Sequence, residues 1–297
     1  MKVDDPLAIG LANVFQKRGE AKIVGAVSSV FSRYVPPAID AINSYYGHDK
    51  IPIAIQKPVD NTTRNPTIPQ ENEYVTGLTH KFPQDVGDGS NTMDTVLLYR
   101  HLLAVSPDHS ITIANIGFHD NLYQLLQSPP DKISPLSGPD LIKKVIEHVV
   151  QGNPNGTSFN FEGNGPKFAQ YVLMHWPGRV IYVPDAIGST VYFGSKLTTE
   201  LNKTTSPVPY AAATSIGIGN VHQSWNSTAI YYAVRGLDDI YGVERGEGEI
   251  TFSQNGTAVW DYSSQSRLQQ SIDLKINNVT FAARLEELLL SEPSIFP

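Results

Sequence analysis

The sequence predicts an α/β fold, an open and mostly parallel sheet flanked by helices. Three observations predict it. Short apolar runs such as AKIVGAV, IPIAI, SITIANIG and RVIYVP alternate with longer amphipathic stretches. Proline and glycine punctuate those stretches, as in PPAIDAINSYYG and SWNSTAIYYAVRG. No repeat, low-complexity tract or linker divides the 297 residues, which predicts one domain over 1–297 ending in a hairpin and a helix.

The elements follow in order. The chain opens MKVDDPLAIG, where Pro6 suits the first helical position and Asp5 can cap the free amides. Leu7, Leu11, Val14 and Phe15 recur at helical spacing until Lys17, Arg18 and Gly19 end the helix. AKIVGAV then reads as a strand, PPAIDAINSYYG as a helix stopped at Gly47, and IPIAI as a second strand. The polar stretch from Gln56 to about Glu73, and HKFPQDVGDGSN after it, read as loops that rim a site.

TMDTVLLYRHLLAV is a helix, SITIANIG a strand and NLYQLL a short helix, whereas periodicity leaves KKVIEHVVQG open between the two types. GPKFAQYVLMHW is a helix followed by the strand RVIYVP, and SWNSTAIYYAVRG is a helix stopped at Gly236. EGEITFSQNGTAVW reads as a hairpin turning at Asn255 and Gly256, and TFAARLEELLL as the closing helix.

Composition narrows the function classes. With 40% hydrophobic residues the chain can build a large core, and it holds no run of about 20 apolar residues, so membrane spanning is not expected. The net charge of -7 is spread without a basic stripe, which argues against nucleic acid. There is no cysteine, so disulfide and thiolate chemistry are excluded. Glycosylation sequons at Asn61, Asn155, Asn202, Asn226, Asn255 and Asn278 favour a secreted protein over a cytoplasmic one, although no signal peptide precedes Met1.

Taken in order, several stretches carry a resemblance: DDPLAIGLA, IVGAVSS with IDAINSYYG and IPIAI, ITIANIGFHDNL, SFNFEG, VLMHWPGRVIYV, DAIG and SWNSTAIYYAVRG. The set resembles the inosine-uridine-preferring nucleoside hydrolase family from Asp4 to about Trp260. The resemblance implies one calcium ion above the carboxyl ends of the strands, held by aspartates and touching a water and two ribose hydroxyls. It implies hydrolysis of the N-glycosidic bond of ribonucleosides to ribose and free base, through an oxocarbenium-like state. A homodimer or homotetramer is implied as well.

Residue by residue, Asp4 and Asp5 match the family's double aspartate. Asp5 would be the bidentate metal ligand, and Asp4 a catalytic carboxylate that also contacts the ribose. Asp120 would lend its backbone carbonyl to the metal, and Asn226 stands at the last metal-ligating aspartate. Asn160 matches a ribose-hydroxyl binder, and Asp185 lies next to Ala186, where the family carries a glutamate. His222 is a candidate proton donor to the leaving base, and His119 is a second one. Ser158 and Ser32 replace an acidic residue and an asparagine of the family pattern. The family's earlier aspartate and the first strand that bears it have no counterpart, which predicts that Met1 is an internal or artificial start.

Plain structural roles compete at several of these positions. Asp120 can cap NLYQLL, Asn226 with Ser224 can cap the helix after it, and Trp225 can be a packed residue. The glycines of IGIGN lack the context of a dinucleotide site and read as a tight turn. The missing earlier aspartate and the substitution at Asn226 predict weak or lost turnover, and the departures at Asn226, Ala186, Ser158 and Ser32 together motivate an alternative. The alternative is a non-catalytic ligand-binding or interaction protein on the same fold.

Overall fold

The computed structural model describes residues 1–59 and 73–291. The sequon at Asn61 and most of the stretch from Gln56 to Glu73 lie outside the described residues. Two parallel sheets form the frame. In the first, β1 (Ala26–Ser28), β2 (Ile53–Ile55) and β3 (Met93–Asp94) run parallel. In the second, the order is β4 (Ile111–Asn115), β5 (Val145–Gln151), β6 (Arg179–Val183), β12 (Gln269–Leu274) and β9 (Tyr241–Arg245). All neighbours in it are parallel except β12 and β9. Two antiparallel pairs complete the strands: β7 (Tyr192–Phe193) with β8 (His222–Gln223), and β10 (Glu249–Phe252) with β11 (Ala258–Asp261).

Thirteen helices are found among the described residues. The first six are α1 (Asp5–Lys17), α2 (Val35–Tyr45), α3 (Glu73–Lys81), α4 (Thr95–Val105), α5 (Asp120–Gln127) and α6 (Gly138–Ile142). Then come α7 (Phe159–Glu162), α8 (Pro166–His175), α9 (Asp185–Gly188) and α10 (Ser195–Glu200). The last are α11 (Pro207–Ile216), α12 (Trp225–Arg235) and α13 (Asn278–Leu290). None of the described helices is long and apolar enough to cross a membrane.

The second sheet is covered on both faces. Along β6, Ile181 and Val183 join a core with α1, α12 and α13, while Val180 and Tyr182 join another with α5, α6 and α8. A parallel strand buried on both faces reads as a continuous apolar run without alternation. In KKVIEHVVQG, where residues 145–151 form β5, Ile146 is exposed while His148, Val149, Val150 and Gln151 are all buried, so the residues follow no single period. Aromatic side chains tie the three helices of the first core together: Phe281 meets Tyr231 edge-on at 5.1 Å, and Phe15 meets Tyr231 at 5.9 Å.

Several expectations are corrected by the structure. Asp5 does not cap α1; it is the first helical residue, with Asp4 before it and Pro6 inside the first turn. AKIVGAV is strand only at its end, because residues 21–25 pair with no neighbouring strand among the described residues and lie half-buried or exposed. TMDTVLLYRHLLAV begins with the short strand β3, after which the Asp94 carboxylate accepts from Val96 N–H and starts α4. The hairpin forms as read, with Gly256 at φ +85° in its turn.

The strands β9 and β12 were not legible, since QQSIDL carries polar residues in the middle of a sheet. Their polar groups are satisfied internally. Gln269 Oε1 accepts from Tyr182 Oη at 3.0 Å and from Ile250 N–H at 2.9 Å, while Gln269 Nε2 donates to Leu173 O at 3.0 Å.

Arg100 on α4 organises the connection from α5 to α6. It is 1% exposed, its Nε and Nη2 donate to both oxygens of Asp131, and further N–H groups reach Ser128 Oγ and the carbonyls of Ser134 and Leu136. A planar guanidinium can satisfy all these acceptors at once and an ammonium cannot. Arg100→Ala leaves two carbonyls without this donor and a void in the core. It is expected to destabilise the fold by roughly 3 kcal/mol, read as a lowered urea midpoint at unchanged m-value.

Candidate functional site

Five segments meet at the carboxyl ends of the parallel strands: residues 1–5, the end of β5, α7, the start of α9 and the start of α12. Each is delivered by a strand end or a helix start, where backbone donors are left without intrahelical partners. Asp4 is 4% exposed, and its Oδ2 accepts from the backbone N–H of Asn226 at 3.0 Å. Asp4 therefore caps α12, a helix more than two hundred residues away, rather than α1. Ser224, which precedes α12, makes no side-chain capping bond to it, so the expected cap by Ser224 and Asn226 is replaced by Asp4.

Asp5 closes the same junction. Its Oδ2 accepts from Lys2 N–H at 2.6 Å, and its Oδ1 accepts from Asn226 Nδ2. Asn226 is fully buried, and its Oδ1 has no hydrogen-bond partner among the described residues.

From Lys2 the network crosses to the second sheet. Lys2 Nζ donates to Asn160 Oδ1 at 3.1 Å and lies 4.4 Å from the centroid of the Phe159 ring. Asn160 is 1% exposed, and its Nδ2 donates to Gln151 Oε1 at 2.6 Å and to Gln151 O at 3.0 Å. Gln151 Nε2 in turn donates to Asp185 Oδ1. The backbone N–H of Asp185 donates to Asn153 Oδ1 at 2.8 Å, and Asp185 O accepts from Trp225 Nε1 at 3.2 Å. One hydrogen-bonded chain thus runs from Asp4 through Asn226, Asp5, Lys2, Asn160 and Gln151 to Asp185.

Gly188 lets α9 approach α12. A Cβ there would sit 2.4 Å from Trp225 Cα, so only glycine permits the contact that places Asp185 beside Trp225.

The electrostatics follow from burial around one cation. Asp4 is pushed up from 3.8 to about 6, first by burial and then by the charge of Asp5, while Lys2 and the Asn226 amide pull the other way. Burial also raises Asp185, opposed by its hydrogen bonding to Gln151 and by the charge of Lys2. His119 is held down to about 4 by burial, opposed by its contact with Asn160 O. Its ring lies 6.1 Å from that of His148, which burial and then His119 keep well below the usual imidazole range. His119 is thus a neutral core residue near pH 7 and not a surface proton donor. His222 is half-buried on β8, with Nδ1 2.8 Å from Gln223 O and its ring edge-on to Trp225 at 5.9 Å.

The structure brings Asp4, Asp5, Asn226, Asn160 and Asp185 into one network. Asp120 begins α5 beside His119, and His222 stands edge-on to Trp225. Ser32 is buried in the turn before α2, and Ala186 is exposed on α9. Sequence reasoning missed Lys2 and Gln151. Reading KKVIEHVVQG as a strand would have put Gln151 at its carboxyl end, whereas nothing in the sequence marks Lys2.

Calcium takes six to eight oxygen ligands, several of them charged. Both Asp5 oxygens already accept hydrogen bonds, Asp4 is committed to α12, Asn226 offers one neutral carbonyl, and the Lys2 ammonium occupies the network. Among the described residues no three of His, Cys, Asp and Glu are grouped to hold a metal. These residues do not fit a calcium ion.

The raised Asp4 pKa fixes a sign. Between pH 3.8 and about 6 the native state holds more protons than the unfolded chain, so stability from this group is greatest at low pH and falls as pH rises through 6. Asp4→Asn keeps an acceptor for Asn226 N–H. It is expected to stabilise the fold at pH 7 by about 2 kcal/mol, with the gain vanishing at pH 4, in paired urea titrations.

No protein-family model and no curated protein matches the chain. Solved structures do. A plant nucleoside hydrolase superposes with a TM-score of 0.67 at 16% identity, covering 98% of this chain and 96% of that one. An inosine-uridine preferring nucleoside hydrolase from Bacillus anthracis gives 0.66 at 13% identity, with 97% and 95% covered. The type III effector protein XopQ, solved with adenosine diphosphate ribose, gives 0.66 at 10% identity, with 97% and 88% covered. The chain has the fold of the inosine-uridine nucleoside hydrolases.

Proposed function

We propose that this protein binds the ribose of a nucleoside-like small molecule at the carboxyl ends of its strands, with N-glycosidic hydrolysis weak or lost. The observation that carries this reading is the continuous network of carboxylates and amides from Asp4 to Asp185 around the Lys2 ammonium. Vicinal hydroxyls need convergent acceptors and donors; Asp5, Asn160 and Asp185 lie along one network here, and the buried Asn226 Oδ1 beside them has no hydrogen-bond partner among the described residues. Lys2 provides the fixed positive charge that a cation would otherwise bring to such a set of oxygens. Trp225 and His222 at the rim offer an aromatic edge and an imidazole to a nucleobase.

Hydrolysis is the second reading, favoured by Asp4, whose carboxyl near 6 suits proton transfer at neutral pH. In that reading Asp4 takes a proton from the attacking water, Asp5 and Asp185 stabilise the electron-poor ribosyl carbon, and His222 protonates the departing base. Asp4's bond to Asn226 N–H and its burial weigh against this role, because the carboxylate is turned to a helix start.

Calorimetric titration with ribose, inosine, uridine and adenosine diphosphate ribose tests the two readings, in calcium and in chelator. Binding of at least one ligand with equal affinity in both buffers, without release of free ribose from the nucleosides, is expected. Asn160→Ala is expected to weaken that binding at least tenfold, about 1.4 kcal/mol. Ribose release abolished by chelator would establish the hydrolase reading. No binding of any of the four would contradict both.

A further inference from the structure

Two aromatic residues flank the polar network in different electrostatic settings. Phe159 has its own cation: Lys2 Nζ lies 4.4 Å from the ring centroid while it donates to Asn160 Oδ1. Trp225 stands at the opposite end. It is half-buried, its indole N–H donates to Asp185 O at 3.2 Å, and the His222 ring meets it edge-on at 5.9 Å. Among the described residues no lysine or arginine lies over its ring.

Charge is shared unevenly along the same line. Asp4, Asp5 and Asp185 place three carboxylates in the network, and among the described residues Lys2 is the one lysine or arginine bonded into it. The Met1 amino group is buried, which disfavours its ammonium form. Lys2 serves the Asn160 end, and its backbone N–H donates to Asp5. Asp185 forms no ion pair among the described residues. Burial, opposed by its hydrogen bonding and by the charge of Lys2, holds its carboxyl above the ordinary range.

One more acceptor stands open beside Trp225. Asn226, the next residue, is fully buried in the first turn of α12, and its Oδ1 has no hydrogen-bond partner among the described residues. An indole ring, a carboxylate without an ion pair and a free carbonyl each attract positive charge, and tryptophan does so best of the aromatic residues. None of the three attracts a phosphate.

Resting on the ribose reading, we propose that the ligand is a riboside whose aglycone is a cationic ring, of the N-ribosyl pyridinium type, with the ring against Trp225 and its charge facing Asp185. The ribose hydroxyls lie on Asp5 and Asn160, where Lys2 already balances charge. The positive ring then supplies the cation that Asp185 lacks within the chain. An uncharged ring leaves that carboxylate without one, and a phosphorylated riboside adds negative charge where it is already in excess. Selectivity among ribosides is set by charge at this end of the network.

The test compares two probes at about pH 8, where carboxylates are ionised and an ordinary imidazole is neutral. Nicotinamide riboside carries the cationic ring, and its dihydropyridine form has nearly the same shape without the charge. Calorimetric titration of the 297-residue chain at about 20 mM salt is expected to show the cation binding about tenfold tighter, with the ratio shrinking at about 0.5 M salt. Asp185→Asn and Trp225→Leu are each expected to bring the ratio to within about twofold. Because the ratio is read within each variant, a general loss of binding does not imitate the effect.

Equal affinities for the two forms in the unaltered chain overturn the proposal, even where a variant does not fold. So does a preference for the cation that survives both substitutions, which assigns it to the net charge of the whole chain. If neither form binds, the proposal fails, and ribose titrated alongside separates the two readings: binding of ribose keeps the ribose reading, and its absence removes both.

Discussion

The bond from Asp4 to the first turn of α12 holds the candidate site together. A buried carboxylate at a helix start meets an unsatisfied amide and the positive end of the helix dipole. Because Asp4 and Asp5 are adjacent, fixing one against the Asn226 backbone fixes the other against the Asn226 side chain. The start of the chain, α1 and α12 therefore act as one unit, and Lys2 is carried into the space between the two sheets. That ammonium holds Asn160, which donates to Gln151, which in turn donates to Asp185.

A charge buried in this way has consequences. Removing an aspartate from water raises its pKa unless partners compensate, and at Asp4 one amide and one lysine compensate only in part. A stable helix junction and a strongly acidic cage for a hard cation make opposite demands on the same two carboxylates. Here the junction engages Asp4 Oδ2 and both Asp5 oxygens, and Asn226, which is neutral, can donate to Asp5 where an aspartate would repel it. The substitution and the lysine fit each other: one lowers the negative charge of the cluster and the other supplies a cation for what remains.

Much of the frame was legible because it rests on local rules. Proline entries, glycine exits and apolar runs placed α2, α8, α12, β2, β4 and β6 close to their positions. What could not be read was non-local. β12 looks like a loop because its buried glutamine and serine are paid for by partners far away in sequence. KKVIEHVVQG follows no single period, because an exposed Ile146 stands before four consecutive buried residues of β5.

In the site, Asp4, Asp5, Asn160, Asp185 and Asn226 were picked out through the family resemblance, and the fold does bring them together. Their partners were not legible. No spacing says that Asp4 caps a helix beginning at residue 225, or that the side chain of the second residue enters the centre of the site. His119 looked like a loop histidine, yet the turn before α5 folds inward and leaves it 1% exposed.

In the proposed ribose site the Lys2 ammonium, and not a metal ion, organises the oxygens. A crystal structure of the chain grown with ribose and millimolar calcium tests it most directly. Ribose hydroxyls on Asp5 and Asn160, with Lys2 Nζ still on Asn160 Oδ1, are the predicted result. A calcium ion on Asp5 and Asn226, with the lysine displaced, would contradict the account.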